Sequence, residues 1–225
     1  MSNLVISIIY LVVSFILTFL IFKLFGKGGL YCWICVLVVI CNIQTIKISE
    51  LFGLTISLGN ISYGALFLST DILSEKYGKK SANEATKISF ILMIIFAVLM
   101  VLFLQYKPCD IDTSQEALLT IFGYIPRITI GSMLAYYTSQ RYDAYLYNKL
   151  KKKYNKVWLS NNVSTFISQL LDTFIFVSIA FYGTMGAKEI FELIITMILF
   201  KWVIAILDTP FMILVTKIKN NKELI

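Results

Sequence analysis

Apolar runs of about 20 residues, separated by short polar connections, recur along the whole chain. They fall at about 4 to 25, 29 to 47, 56 to 76, 86 to 106, 117 to 140, 162 to 183 and 190 to 215. Each is long enough to cross roughly 30 Å of hydrocarbon as a helix. The pattern predicts an all-α fold, a polytopic membrane helix bundle of seven transmembrane helices. The third run is diluted by Gly59, Asn60, Gly64 and Asp71, residues that helices bordering a cavity can carry. The longest polar stretch, roughly 141 to 160, combines lysines with Tyr142, Tyr145, Tyr147, Tyr154 and Trp158. It reads as an interfacial segment with its aromatic rings at headgroup level. With no soluble domain in view, residues 1–225 form a single transmembrane domain.

Composition agrees with the pattern: 58% of residues are hydrophobic, 15% are charged, and the mean hydropathy is +0.80. The net charge of +7 reflects topology rather than affinity for nucleic acid. Of the 20 basic residues, 15 fall in every second connection: Lys23 and Lys27, then Lys76 to Lys87, then Arg141 to Lys156, then Lys217 to Lys222. By the positive-inside rule the N-terminus lies outside and the C-terminus in the cytoplasm, as in a multi-pass protein of a bacterial inner membrane. Residues 1–25 lack a basic start and exceed the length of a signal core, so an uncleaved first helix is expected.

Polar residues inside such helices are expensive and generally have a function. The motif SQxxD occurs twice, at Ser139 to Asp143 and at Ser168 to Asp172, 29 residues apart on helices that cross in opposite directions. Such placement allows an inverted repeat. On the sixth run, Asn162, Thr165, Gln169 and Asp172 share one helical face. Asp172 lies roughly 15 Å in from the cytoplasmic end, near the bilayer centre. On the third run Asp71 and Glu75 are neighbours four apart. Arg127 and Lys201 are the cations expected to balance these acids, with Asp71, Asp172 or Asp208 as partners. Pro126 and Pro210 permit kinks. Asn42 and Gln44, with Thr45, sit at the outer end of the second run and can donate and accept at once.

The missing chemistry narrows the function. The chain has no P-loop, no nucleophile motif, and no histidine, so an enzyme is not expected and no cofactor is required. Cys32 and Cys35 form a CxxC, with Cys41 and Cys109 elsewhere. Without histidine or a second thiol pair they lack a metal's ligand set and read as packing residues.

Three blocks together, Leu66 to Gly78 (LFLSTDILSEKYG), Arg127 to Asp143 (RITIGSMLAYYTSQRYD) and Asn161 to Gly183 (NNVSTFISQLLDTFIFVSIAFYG), resemble the YhhQ-like queuosine precursor transporter family in order and spacing. Phe200-Lys201 with Pro210 is similar to that family's last helix. The resemblance covers roughly residues 30 to 215, so residues 1–25 are expected to be an added helix. It implies uptake of 7-deazaguanine bases such as queuine for tRNA modification, by alternating access. A deazaguanine presents N–H groups to a carboxylate, a carbonyl to an amide or cation, and a flat face to aromatic rings. Asp71, Glu75, Gln140, Asp143, Asn162, Gln169 and Asp172 are the candidate acceptors and amides; Asn42, Gln44, Arg127 and Lys201 are the candidate donors. Tyr63, Phe67, Tyr136 and Tyr137 are candidate stacking residues.

The partners implied are a small purine-like base and the lipid bilayer, with no nucleic acid; a monomer and a homodimer both fit. The main alternative is a substrate-binding subunit of a multi-component uptake system with separate ATPases. A receptor or assembly factor outside transport is a third class.

Overall fold

The computed structural model describes residues 2–155 and 157–217, apart from the side chains at 157, 158, 161, 162, 205, 209 and 216. In chain order the elements are α1 (Asn3–Thr45), β1 (Ile48–Leu51), β2 (Leu54–Ser57), α2 (Gly59–Phe103), α3 (Gln115–Phe122), α4 (Ile125–Tyr154), α5 (Val157–Phe181), α6 (Ala187–Leu207) and α7 (Thr209–Thr216). Among the described residues, four helical stretches are long and apolar enough to cross a membrane: Asn3–Thr45, Gly59–Phe103, Gln115–Tyr154 and Val163–Phe181. The protein is an all-α membrane bundle with one small β-hairpin.

α1 and α2 contain 43 and 45 residues, about 65 Å of helix each and twice the hydrocarbon thickness. Neither is continuous. Gly26 (φ 61°, ψ −136°) interrupts α1 and Gly78 (φ 83°, ψ 158°) interrupts α2. The Gly78 conformation belongs to a region that side-chain-bearing residues essentially do not enter. The breaks fall between the first and second apolar runs and between the third and fourth, where lysines cluster. The last run is also broken, α6 giving way to α7 at Asp208, with Pro210 opening the second piece.

Two segments differ from the sequence expectation. Residues 48–57 form an antiparallel hairpin pairing Ile48 with Ser57 and Leu51 with Leu54. Phe52 and Gly53 both take positive φ at its tip, as a two-residue hairpin turn requires. The third run therefore becomes helical at Gly59. Beyond residue 140, α4 continues through Tyr154, so most of the lysine- and tyrosine-rich stretch is an extended helix with basic residues in its last turn. Lys151, Lys152 and Lys153 there complement the negative end of the helix dipole.

The chain divides into two compact units. One comprises residues to Pro126 together with those from Leu199 onward; the other runs from Arg127 to Ile198. In the first, Phe15 packs edge-on against Phe211 with ring centroids 5.1 Å apart, within a core that includes Leu30, Ile34, Leu68, Ile72 and Ile204. Outward faces are apolar, for example Ile8, Ile16, Ile91 and Leu99. Buried Ser14, Thr18 and Ser69 return their hydroxyls to carbonyls of their own helices. This arrangement suits lipid, which accepts apolar surface but offers no hydrogen bonds. Ahead of α3, Asp112 accepts from the Ser114 hydroxyl at 2.6 Å and from the Ser114 amide at 2.8 Å, which holds this exposed carboxyl below the usual range.

Gly59 marks the closest approach of α2 to α1. A β-carbon there would lie 2.2 Å from Thr45 Oγ1 and 2.7 Å from the Cys41 carbonyl oxygen. Small residues at such crossings let membrane helices meet backbone to backbone. Gly59→Ala is expected to destabilise the protein by about 1–3 kcal/mol through overpacking, seen as a lower thermal unfolding midpoint in detergent. An unchanged midpoint would show that Thr45 can move aside.

Candidate functional site

Within the second unit, the two SQxxD motifs meet. Ser139 Oγ on α4 lies 3.3 Å from Asp172 Oδ1 on α5 and 3.0 Å from the Tyr136 carbonyl oxygen of its own helix; Ser168 Oγ on α5 lies 3.3 Å from Asp143 Oδ1 on α4 and 3.0 Å from its own Thr165 carbonyl oxygen. Each serine can therefore give its one hydrogen either to its own helix or to the other motif's aspartate. Such reciprocity requires α4 and α5 to run antiparallel and in one register, with the motifs related by a local two-fold axis. The pairs lie one helical turn apart, roughly 6 Å. Ser139 and Ser168 are buried; Asp143, Asp172 and Gln169 are half-buried, and Gln140 is exposed. Both 3.3 Å contacts are longer than the usual O–H···O spacing of about 2.7–2.8 Å.

Arg127 opens this unit, and its Nε donates to the Ile179 carbonyl at 2.6 Å. Its Nη2 donates to the Tyr182 carbonyl. These oxygens belong to the C-terminal end of α5, where carbonyls lack helical partners and carry partial negative charge. The sequence suggested a carboxylate partner for Arg127; the hydrogen bonds described here go to carbonyls. Nearby, Gly131 packs on Ile179 with 3.4 Å available for a β-carbon. Tyr137 is 55% exposed and lies beneath the Arg141 guanidinium, 4.4 Å from ring centroid to Cζ. Tyr136 is half-buried one position earlier. Asn162 lies outside the residues with described side chains.

In the first unit, residues near the two ends of α1 and the start of α2 form a polar cluster. The Gln44 amide donates to Tyr10 Oη at 2.9 Å, Tyr10 Oη and Ser62 Oγ are 2.8 Å apart, and Ser62 also bonds Gln44 Oε1. Asn42 is buried and donates to the Val38 carbonyl at 2.7 Å. Among the described residues its Oδ1 has no hydrogen-bond partner, nor has Nδ2 of buried Asn60. Deeper along α2, Asp71 is accessible and Asp208, at the α6–α7 break, is buried; the two carboxylates lie within electrostatic reach of each other. Tyr63 and Phe67 stand 6.1 Å apart as tilted rings. Glu75 is exposed and Lys201 half-buried.

Sequence reasoning noticed both motifs but assigned their serines no role. It also missed Tyr10, Asn60 and Ser62. The identical spacing of serine and aspartate in the two motifs was the available signal for cross-pairing. Tyr10 gave none, because one tyrosine in an apolar run is ordinary.

The Arg127 geometry generates a stability prediction. Arg127→Gln removes charged donors from the end of α5 and is expected to destabilise the protein by about 1.5–3 kcal/mol. Arg127→Lys retains the charge without the two-carbonyl fork and should fall between the two. Thermal unfolding midpoints would check the order, and no change in either variant would detach Arg127 from the helix end.

Comparison with known proteins agrees with this picture. Residues 57–215 match the family model described as putative vitamin uptake transporter. The chain is 39% identical over 219 residues to a probable queuosine precursor transporter of Bacillus subtilis, covering 96% of each. That alignment leaves a remainder shorter than residues 1–25, so at least part of the first helical segment has a counterpart there. It is 31% identical over 147 residues to a probable queuosine precursor transporter of Haemophilus influenzae, covering 61% of this chain and 59% of that one. Identity to the queuosine precursor transporter of Escherichia coli is 26% over 144 residues, 61% of each. No solved structure matches. The chain is a multi-pass protein of the bacterial inner membrane, not an enzyme, and it belongs to the putative vitamin uptake transporter family.

Proposed function

We propose that this protein imports queuosine precursors, 7-deazaguanine bases such as queuine, for tRNA modification. The names of its three relatives support the solute. The observation that carries the binding site is the reciprocal pairing of Ser139 with Asp172 and Ser168 with Asp143. Each aspartate has the other motif's serine hydroxyl beside it at 3.3 Å, a long contact. Ring N–H and amino groups of a deazaguanine are stronger donors to a carboxylate and can take the hydroxyl's place. Gln140 and Gln169 beside the pairs can meet the ring carbonyl, and Tyr136 or Tyr137 its face. Within the first unit taken by itself, Asp71, with Asp208 in reach, is a second place for an N–H donor or a protonated amine.

Topology supports a carrier. Gly26 and Gly78 divide α1 and α2 into two crossings each, and α3–α4, α5 and α6–α7 add one each, giving seven. The lysine-rich connections then face the cytoplasm and the N-terminus faces outward. Broken helices beside intramembrane acids are a recurring device of alternating access.

In cells unable to make queuosine, this protein should restore the modified nucleoside in tRNA from external base. Asp172→Asn and Asp71→Asn are each expected to lower uptake at least about tenfold, the effect of losing one charge-assisted hydrogen bond. Ser139→Ala and Ser168→Ala should retain most uptake, because the hydroxyls only hold the carboxylates when no base is present. Wild-type uptake in both aspartate variants would overturn the site. Uptake by the purified protein in proteoliposomes would establish that no partner ATPase is needed.

A further inference from the structure

The break at Gly26 opens a cavity that the import reading does not use. It has a volume of about 920 Å³ and lies along both halves of α1, against α2 at Glu84. Ile21, Phe25, Trp33 and Val36 give it a long apolar wall, and Lys27 is the cation on its lining. Lys27 Nζ stands over the rings of Tyr31 and Tyr77 at 5.7 and 6.0 Å from their centroids.

The Tyr31 and Trp33 donors on this wall are already committed. Tyr31 Oη donates to the Ser81 carbonyl at 3.0 Å and toward Glu84 at 3.3 Å, and Trp33 Nε1 donates to Thr18 at 2.9 Å. A planar base needs partners along its edge, and the cavity has few to offer. A molecule with one anionic group and a long hydrocarbon tail fits the wall better. The sign of the surroundings agrees. The two segments that meet here carry Lys23, Lys27, Lys76, Lys79, Lys80 and Lys87 against Glu75 and Glu84. Lys27, Gly28 and Gly29, which begin the helical segment after the break, all line the cavity, and a helix start adds partial positive charge.

We propose that this cavity is a binding site for an anionic phospholipid of the inner leaflet. Its phosphate meets Lys27 at the Gly26 break, and an acyl chain lies along Phe25, Trp33 and Val36. The site would be a second, lipidic one, separate from the imported solute and formed largely by the half of α1 after the Gly26 break. Basic residues at the cytoplasmic boundary recognise anionic headgroups with an increment per lysine that corresponds to about fivefold in affinity.

The test uses the full chain purified in detergent and supplied with phosphatidylglycerol or phosphatidylcholine. Lipid retention is read by native mass spectrometry and stabilisation by thermal shift. Wild type should retain phosphatidylglycerol in preference to phosphatidylcholine and be stabilised by it. Lys27→Gln should weaken retention about fivefold, Val36→Trp should weaken it by obstructing the apolar wall, and Lys107→Gln, in the connection after α2 and away from this break, should behave as wild type. Equal retention of the two lipids, or wild-type retention by Lys27→Gln, would overturn the proposal. So would stabilisation by inorganic phosphate alone, or a queuine-dependent shift abolished by Val36→Trp. Import can fail its own test while this site stands, because lipid retention is measured without queuine.

Discussion

A polar group carried into hydrocarbon must find its partner inside the protein, because lipid supplies none. In this chain that constraint operates at three scales. Buried serines and threonines return their hydroxyls to carbonyls of their own helices, as Thr18 does to Ser14 and Ser69 to Ala65. Arg127 places two donors on the exposed end of α5. Asp143 and Asp172, which no backbone group of their own helix can satisfy, are held from across the helical hairpin by Ser168 and Ser139. The last solution differs from the others because it depends on register between two helices.

Much of the helical plan was legible in the sequence, since runs of about 20 apolar residues have few alternatives in a membrane. The interruptions at Gly26 and Gly78 agree with where those runs ended. The hairpin at residues 48–57 was not legible: its strands are four residues each and abut apolar runs, so Ile56 and Ser57 read as the start of a helix. The helical continuation beyond Gln140 was hidden by the opposite effect. Lysines and tyrosines mark a membrane boundary, but lysine forms helix readily, and α4 continues through Tyr154.

At the candidate site, residue type could be read but pairing could not. A carboxylate in an apolar run announces itself, and Asp71, Asp143 and Asp172 were therefore visible. Their partners were harder to foresee. Arg127 suggested an acid because opposite charges are the simplest neutralisation, yet a helix C-terminus also presents negative partial charge to a guanidinium. Asp208 entered only as a prospective partner for a cation. The fold instead brings it within reach of Asp71, another acid. Sequence separation conceals such proximity, because the two are 137 positions apart.

The local symmetry of α4 and α5 constrains how any transport motion can occur. Sliding one helix past the other by a turn would carry Ser139 away from Asp172 and Ser168 away from Asp143 together, leaving two half-buried carboxylates without their serines. Neither serine would meet an aspartate in the new register, because the motif repeats only once on each helix. The hairpin is therefore best moved as one piece. Flexing falls instead to places where helical hydrogen bonding is already interrupted: Gly26, Gly78 and the Asp208–Pro210 break. Those interruptions need no further hydrogen bonds broken in order to bend, whereas the hairpin must lose two at once. The same feature that satisfies the aspartates thus makes their helices the rigid element.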